Sequence, residues 1–228
     1  GFRLQRSAPH AAALAARGHA VAWVAYAGMR RVLPDAARFY PLASPLSEER
    51  AQQLLLESGA SWLAGMKVLF EDVVFPMAYD MLPGVEAAID DFAPDALVVD
   101  QMALAGAIVA RRRGLRWATS ATTAALIRDS LAQYPKVEAW LAGLSERLQR
   151  DARVAPVRRP DTSPALVLLY TSRLLAGPDA GYPAHYRFIG PVLAARREVD
   201  DFPWDALDDR PRVFVTLGSL WLDRGELV

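Results

Sequence analysis

Short apolar runs alternate along this chain with longer stretches of helical spacing. The clearest runs are apolar and nearly continuous, as in parallel strands that are covered on both faces, and lie at residues 20–25 (AVAWVA), 96–99 (ALVV) and 165–171 (ALVLLYT). Shorter strands are predicted at residues 39–42 and 187–189. Helical spacing is found at residues 7–17, 47–64, 68–92, 102–113 and 127–150. Strands that alternate with helices predict the fold class α/β, with a doubly wound parallel sheet.

Prolines and a cap residue set the predicted boundaries of several helices. The first helix is predicted to begin near Ser7, with Pro9 in its first turn. An interior proline removes one backbone hydrogen bond and clashes with the preceding turn, so Pro76 and Pro83 are predicted to break residues 68–92 into pieces. The helix over residues 127–150 is predicted to be kinked near Pro135.

Residues 94–126 predict one complete strand–helix–strand unit. The first strand ends at Asp100, the helix ends in three arginines followed by Gly114, and a second strand over residues 115–118 leads into the polar turn 119–123 (TSATT). The carboxyl ends of parallel strands meet at one sheet edge, where ligands bind in open α/β sheets. Asp100 and the polar cluster are therefore the first candidate site. The three arginines are predicted to form a solvated helix end, with a membrane-surface patch as the alternative.

The charge balance and the absence of cysteine exclude several classes of protein. The chain has 228 residues, with 26 basic and 26 acidic residues, and a net charge of zero argues against a nucleic acid or an anionic membrane held by bulk electrostatics. Without cysteine, disulfides and thiolate metal sites are excluded. The apolar runs are too short to span a bilayer, and the first residues lack the pattern of a signal peptide. We therefore expect a soluble, cytoplasmic protein.

Familiar ligand-binding motifs are absent from the sequence. It contains no G-x-G-x-x-G dinucleotide fingerprint, no G-x-x-x-x-G-K-[ST] phosphate loop and no G-x-S-x-G nucleophile elbow. The three histidines are scattered without the spacing of metal ligands, so no metal site is predicted.

The last thirty residues predict a change of domain. Residues 198–211 are acidic and contain proline, which is typical of an interdomain linker. Residues 212–217 (RVFVTL) then begin a new buried strand that ends in Gly218 and Ser219. We predict an α/β domain at 1–197 whose first strand is missing or altered, a linker at 198–211 and the start of a truncated second domain at 212–228. The start without Met and the end soon after a strand indicate a fragment of a longer chain.

Four stretches together resemble a known family. They are residues 13–24 (ALAARGHAVAWV), 94–115 (PDALVVDQMALAGAIVARRRGL), 186–193 (YRFIGPVL) and 202–219 (FPWDALDDRPRVFVTLGS). Their order and spacing resemble the acceptor-side, Rossmann-like half of a GT-B glycosyltransferase of the UDP-glycosyltransferase superfamily. The resemblance is to bacterial members that glycosylate macrolides, other antibiotics or carotenoids. Residues 100–107 (DQMALAGA) resemble zeaxanthin glucosyltransferases in particular.

The resemblance implies an activity and its partners. A hexose would pass, with inversion, from a nucleotide-diphosphate sugar to a hydroxyl of a small lipophilic acceptor. No metal and no cofactor beyond the sugar co-substrate would be needed, no nucleic acid would bind, and peripheral membrane contact is a possible aid in reaching a lipidic acceptor. Because the family's donor site lies mainly in the second domain, the chain alone is expected to be inactive. The alternative is a truncated or degenerate relative that binds a lipophile or a partner without catalysis.

The resemblance also assigns residues. Asp100 would orient the general-base histidine of the family, Thr122 would contact the donor sugar, and Gly218 and Ser219 would meet the diphosphate. The family's histidine aligns with Arg3, which is permanently charged and cannot be a base. His10 is the nearby histidine and the remaining candidate for that role. By pattern alone, the aromatic and methionine residues of the stretch 68–92 belong to the core, whereas the resemblance places an acceptor pocket there, lined by Phe70, Phe75, Met77 and Tyr79.

Overall fold

The computed structural model describes residues 2–34, 36–43, 50, 53–54, 61–122, 131, 133–176 and 181–192. Its helices are α1 (Phe2–Ala16), α2 (Trp62–Lys67), α3 (Phe75–Phe92), α4 (Leu104–Arg113), α5 (Pro135–Asp151) and α6 (Arg173–Ala176). Its strands are β1 (Ala22–Tyr26), β2 (Arg38–Leu42), β3 (Ala96–Asp100), β4 (Arg116–Ala121), β5 (Val167–Leu169) and β6 (Tyr186–Phe188). The predicted linker and the strand at 212–217 lie outside the described residues.

Every strand pair in the described part of the chain is parallel. Strands β3, β4, β5 and β6 form one ladder in that order, and β1 pairs with β2 in a second ladder. Parallel neighbours must be joined by crossovers, and α4 provides the one between β3 and β4. The predicted α/β class with a parallel sheet is confirmed.

The β3–α4–β4 unit forms as predicted, with shifted boundaries. Gly114 ends α4 in the left-handed region with φ of 64°, as the glycine after the three arginines indicated. The helix begins at Leu104 rather than at residue 102. The difference arises because the Asp100 carboxylate accepts a hydrogen bond from the Met102 backbone amide, which turns the chain before the helix starts.

The polar cluster after β4 is partly strand, which corrects its prediction as a turn. Thr119 and Ser120 are buried members of β4. Thr119 Oγ1 donates to the Asp161 carbonyl at 3.0 Å and accepts from the Ser163 amide at 2.8 Å. The hydroxyls of Thr119 and Ser120 therefore bond to protein groups in the interior. Of the cluster residues that the structure describes, Thr122 lies beyond the end of the strand.

Neither predicted proline break occurs between residues 62 and 92. A π-helical stretch, Val68–Val74, joins α2 to α3, and its wider turns bring Pro76 into the first turn of α3, where a missing amide hydrogen costs little. Pro83 lies inside α3, and the helix continues through it. The residues beyond it, among them Val85 and Ile89, are buried, and this packing offsets the lost backbone bond.

Other helix boundaries also differ from prediction. α1 begins at Phe2 and contains Pro9, so it extends beyond the predicted start at Ser7. Good helix formers on the amino-terminal side of Pro9 (Leu4, Gln5 and Arg6) favour that extension. Pro135 begins α5 rather than kinking a longer helix, in keeping with the preference of proline for the first turn. Residues 123–130 and 132 are outside the described part.

The long helix α3 is the centre of the hydrophobic core. Its carboxyl-terminal half packs with β2 and α4 in a cluster that includes Leu42, Met81, Val85, Ala105 and Val109. Its amino-terminal half shares a second cluster with α4 and α5, including Phe75, Ala78, Ile108 and Leu148. The first cluster also receives Val24 of β1 and Leu97 of β3, so residues of both ladders meet at the core formed by α3 and α4.

The three arginines at the end of α4 bind neighbouring elements, and Arg112 and Arg113 are also exposed, as predicted for a solvated helix end. Arg111 donates to the Gln149 side chain at 2.7 Å and to the Ala155 carbonyl at 2.5 Å. Arg112 donates to the Ala152 carbonyl at 3.0 Å and pairs with Glu86, and Arg113 pairs with Asp90. The guanidiniums thus join α4 to α3 and α5, which does not favour a membrane-binding patch.

Gln149 anchors the irregular segment 152–166 to α5. Its side chain is fully buried, and Oε1 accepts from Arg111 and from the Val157 amide at 2.8 Å. Its Nε2 donates to the Val157 carbonyl at 3.0 Å and to Ser145. One side chain therefore satisfies both backbone groups of Val157, as a paired neighbour in a sheet would do.

We expect Gly106→Ala to destabilise the fold by about 1–2 kcal/mol, because overpacking outweighs helix propensity. A Cβ at Gly106 would lie 2.9 and 3.1 Å from the two γ-carbons of buried Val99. Gly143 in α5 has no atom within 4 Å of such a Cβ, so Gly143→Ala should stabilise by up to about 1 kcal/mol. Urea unfolding of both variants measures the difference. Changes of equal sign and size in the free energy of unfolding of the two variants would contradict the close approach of α4 to β3.

We expect Gln149→Leu to destabilise the fold by about 2–3 kcal/mol, because the Val157 backbone groups and Arg111 lose their buried partner. The matched control is Gln133→Leu at an exposed position, which should change the free energy of unfolding by about 0.5 kcal/mol or less. Thermal unfolding followed by circular dichroism measures both. Equal stability of the two variants would show that residue 149 does not anchor the segment.

Candidate functional site

Asp100 and Thr122 meet at the carboxyl edge of the sheet. Asp100 is the last residue of β3, opposite Ser120 of β4, and is half-buried. Its Oδ1 accepts from the Met102 amide at 2.9 Å, and its Oδ2 accepts from the Thr122 hydroxyl at 2.9 Å. The two residues were predicted as separate site members, and the structure brings them into direct contact. A carboxylate held by two donors keeps its orientation and can position a further donor or cation.

His10 lies at the same edge, on the β5 side. Its ring packs edge-on against the ring of Tyr170, with 5.7 Å between the ring centroids. Tyr170 follows the last residue of β5, and its hydroxyl accepts from Ser120 of β4 at 3.3 Å. The strands β3 and β5 are two positions apart, about 10 Å across a sheet. The contact with Tyr170 was missed by sequence reasoning, because nothing in the spacing of α1 and β5 indicates it.

A cavity of about 190 Å³ lies beside the β3–α4 turn. Its apolar lining residues include Phe70, Val74, Phe75, Met102, Leu104 and Leu141. Two of the four predicted acceptor-pocket residues, Phe70 and Phe75, thus line one cavity. The aromatic pattern of residues 68–92 was the signal that found them.

Polar side chains also line the cavity, among them Gln101, Arg159 and Asp161. Gln101 is 2% exposed, and its Nε2 donates to Asp161 Oδ2 at 3.2 Å. Arg159 donates to both oxygens of the same carboxylate, at 2.9 and 2.7 Å. Gln101 Oε1 is buried and accepts no hydrogen bond in the structure. Sequence reasoning gave none of the three residues a role, because no local pattern indicates that Gln101 meets a residue 60 positions away.

An open groove of about 530 Å³ runs between α3 and α5. It is lined by Phe75 and Tyr79 from α3 and by Trp140 and Arg147 from α5. The Tyr79 hydroxyl donates to Asp151 Oδ2 at 2.7 Å. Burial, together with this hydrogen bond, raises the pKa of Tyr79 to about 12, so the phenol remains a donor throughout the physiological range.

Three further residues were predicted as members of the site. Met77, predicted for the acceptor pocket, packs against the cluster around Leu42 and Met81. Gly218 and Ser219, predicted to meet the diphosphate, lie outside the described residues. Their roles stay predictions.

Two general features of the described residues bear on the kind of site. Among them, no group of three or more His, Asp or Glu side chains is placed to hold a metal ion. No helix of the described part is both long and apolar enough to cross a bilayer.

Known structures of similar fold are glycosyltransferases. The crystal structure of the glycosyltransferase of kitacinnamycin matches with a TM-score of 0.62 and 24% identity, covering 87% of this chain and 51% of that chain. CalG4, the calicheamicin glycosyltransferase, matches with a TM-score of 0.55 and 16% identity, covering 82% and 49%. The spinosyn forosaminyltransferase SpnP matches with a TM-score of 0.52 and 17% identity, covering 83% and 47%. No protein-family model and no curated protein sequence matches the chain.

The chain spans about half the length of the solved structures it matches. At these identities the likeness establishes the fold and leaves the activity to be tested. The described residues therefore form an α/β domain with parallel sheets that matches the Rossmann-like domain of GT-B glycosyltransferases.

Proposed function

We propose that this chain is the acceptor-side part of an inverting glycosyltransferase. It would transfer a hexose from a nucleotide-diphosphate sugar to a hydroxyl of a small lipophilic acceptor, without a metal ion. The observation that carries the proposal is the Asp100 carboxylate, held by the Met102 amide and the Thr122 hydroxyl at the carboxyl edge of a glycosyltransferase-like sheet.

The reaction requires a base that removes the proton of the acceptor hydroxyl as its oxygen attacks the anomeric carbon. The bond from that carbon to the diphosphate breaks, and the nucleotide leaves with the electron pair. Asp100 would act through a histidine, by orienting the ring and stabilising its charged form. Thr122 would hold the carboxylate and lie beside the donor sugar.

His10 is the histidine that best fits the role of base. The chain has three histidines, and the ring of His10 contacts Tyr170, just beyond the carboxyl end of β5. His19 precedes β1 and His185 precedes β6, so both lie at the amino ends of strands. Ligands of open parallel sheets bind at the carboxyl ends, which favours His10 among the three.

The acceptor would bind between the amino-terminal half of α3 and the neighbouring helices α4 and α5. Phe70, Phe75 and Tyr79 line the cavity and the groove there. Mainly apolar walls with a few polar groups suit a lipophilic molecule that carries hydroxyls.

A second candidate function is binding of a lipophile without catalysis. The cavity of about 190 Å³ favours it, because apolar side chains of the described residues line it. The two candidates differ in one result. Both candidates predict that the lipophile binds. If the chain is non-catalytic, the gene product that contains this chain consumes no nucleotide sugar.

We expect Asp100→Asn to lower kcat for sugar transfer about 10²–10⁴-fold, since a neutral amide cannot stabilise a charged histidine. Transfer from radiolabelled UDP-glucose and dTDP-glucose to a panel of hydroxylated aromatic and polyene acceptors is measured with the intact gene product that contains this chain. The rate should be unchanged by EDTA, and proton NMR of the product should show an inverted anomeric centre.

The matched control is Asp95→Asn, an exposed residue just before the opposite end of the same strand, which should transfer sugar at the rate of the unaltered protein. Unaltered kcat in Asp100→Asn, a retained anomeric configuration, or loss of activity with EDTA would contradict the proposed mechanism. Absence of transfer by the unaltered gene product would favour the binding function.

A further inference from the structure

Two hydrogen bonds join the walls of the open groove between α3 and α5. Trp140 Nε1 of α5 donates to Glu71 Oε1 at 2.7 Å. The Tyr79 hydroxyl of α3 donates to Asp151 Oδ2 at 2.7 Å. Both bonds run from one wall to the other, so they constrain the width of a groove of about 530 Å³. Pockets for drug-sized ligands have volumes of about 300–1,000 Å³, so the groove is large enough for such a molecule.

The α5 wall of the groove lacks a side chain near its centre. Gly143 lies between Trp140 and Arg147 on α5, and a Cβ placed on it would meet no neighbouring atom within 4 Å. Phe75 and Leu144 also line the groove. Trp140 and Arg147 are seven positions apart, which corresponds to about 10 Å along a helix. A mainly apolar, aromatic surface of this length suits a flat molecule of at least two fused rings.

Arg147 is the cation among the described residues that line the groove. Its acidic neighbour one helical turn along α5 is Asp151, whose carboxylate is bonded to Tyr79 instead. Arg147 forms no ion pair with the described residues, whereas Arg150 on the same helix pairs with Glu146 at 2.9 Å. The Arg147 guanidinium is therefore available to a ligand.

The electrostatics of Tyr79 show at which end of the groove this guanidinium lies. Burial and the hydrogen bond to Asp151 raise the pKa of Tyr79, and the positive charge of Arg147 acts in the opposite direction. The guanidinium is thus close to the Tyr79 phenol. The Glu71 and Asp151 carboxylates already accept hydrogen bonds from groove residues. An acidic group on a ligand would find its donor at Arg147, and the charge of Asp151 would weaken that attraction without removing it.

We propose that this groove binds a flat aromatic molecule of two or more fused rings that carries a carboxylate. The rings lie over Gly143, between Trp140 and Tyr79. The carboxylate accepts hydrogen bonds from Arg147, which is then a specificity-determining residue. Assignment of this molecule to the sugar acceptor rests on the proposed function, whereas its binding to the groove does not.

The test compares 2-naphthoate with 2-naphthylmethanol, which share the ring system and differ in the carboxylate. Both are titrated into the full 228-residue chain without any sugar donor, and the Nε1–H NMR signal of Trp140 reports occupancy. We expect both ligands to shift this signal. The acid should bind about fivefold more tightly than the alcohol, because an ion pair at an open site contributes modestly. In Arg147→Gln, this preference for the acid should be lost.

The matched control is Arg150→Gln, the same substitution at an exposed position of the same helix outside the groove, which should keep the preference of the unaltered chain. Gly143→Leu, which fills the groove, should abolish binding of both ligands while thermal unfolding shows a folded protein. The proposal is overturned if 2-naphthoate leaves the Trp140 signal unshifted, if folded Gly143→Leu binds as the unaltered chain does, or if Arg147→Gln keeps the preference. None of these results depends on sugar transfer, so failure here and failure of the proposed function are separate outcomes.

Discussion

The irregular segment between α5 and β5 must bury backbone polar groups without the help of a helix or a strand, and side chains from other elements satisfy them. Gln149 accepts from and donates to the backbone of Val157, Thr119 does the same for Ser163 and Asp161, and the Ser163 hydroxyl donates to the Trp117 carbonyl at 2.6 Å. An unpaired buried backbone group is costly, so these side chains fix the path of the segment. That path brings Asp161 to Gln101, and both residues line the cavity.

The two parts of the candidate site depend on this framework in different ways. The Asp100–Thr122 contact follows directly from the ends of two paired strands, β3 and β4. The cavity needs α3, α4, α5 and the irregular segment to be in place at once. The Asp100–Thr122 contact is therefore local to the β3–α4–β4 unit, whereas the cavity exists only in the assembled domain. A substitution that loosens the segment should therefore affect the cavity before it affects the sheet edge.

Tertiary packing also explains where helix prediction was wrong. Pro76 and Pro83 do not interrupt the run from residue 62 to residue 92. Local rules assign each proline a fixed cost in helix stability. The helix α3, however, contributes buried residues to two core clusters, and the apolar surface it buries outweighs one lost backbone hydrogen bond. The three arginines in the last turn of α4 depend on tertiary packing in the same way. Their sequence favours a helix end, and only the positions of α3 and α5 decide that they bind Glu86, Asp90 and Gln149.

Periodicity and strand-end chemistry were sufficient to predict the parallel α/β class, the β3–α4–β4 unit, Gly114 as the helix stop and Asp100 at the sheet edge. These features depend on residues within one or two turns or on a single crossover, so local preferences decide them. The tertiary structure alone decided that His10 contacts Tyr170, that Gln101 meets Asp161, and that Thr119 and Ser120 are buried in a strand. Those contacts join residues separated by 42 to 160 positions in the chain, and no local pattern specifies which distant partner will satisfy a given polar group.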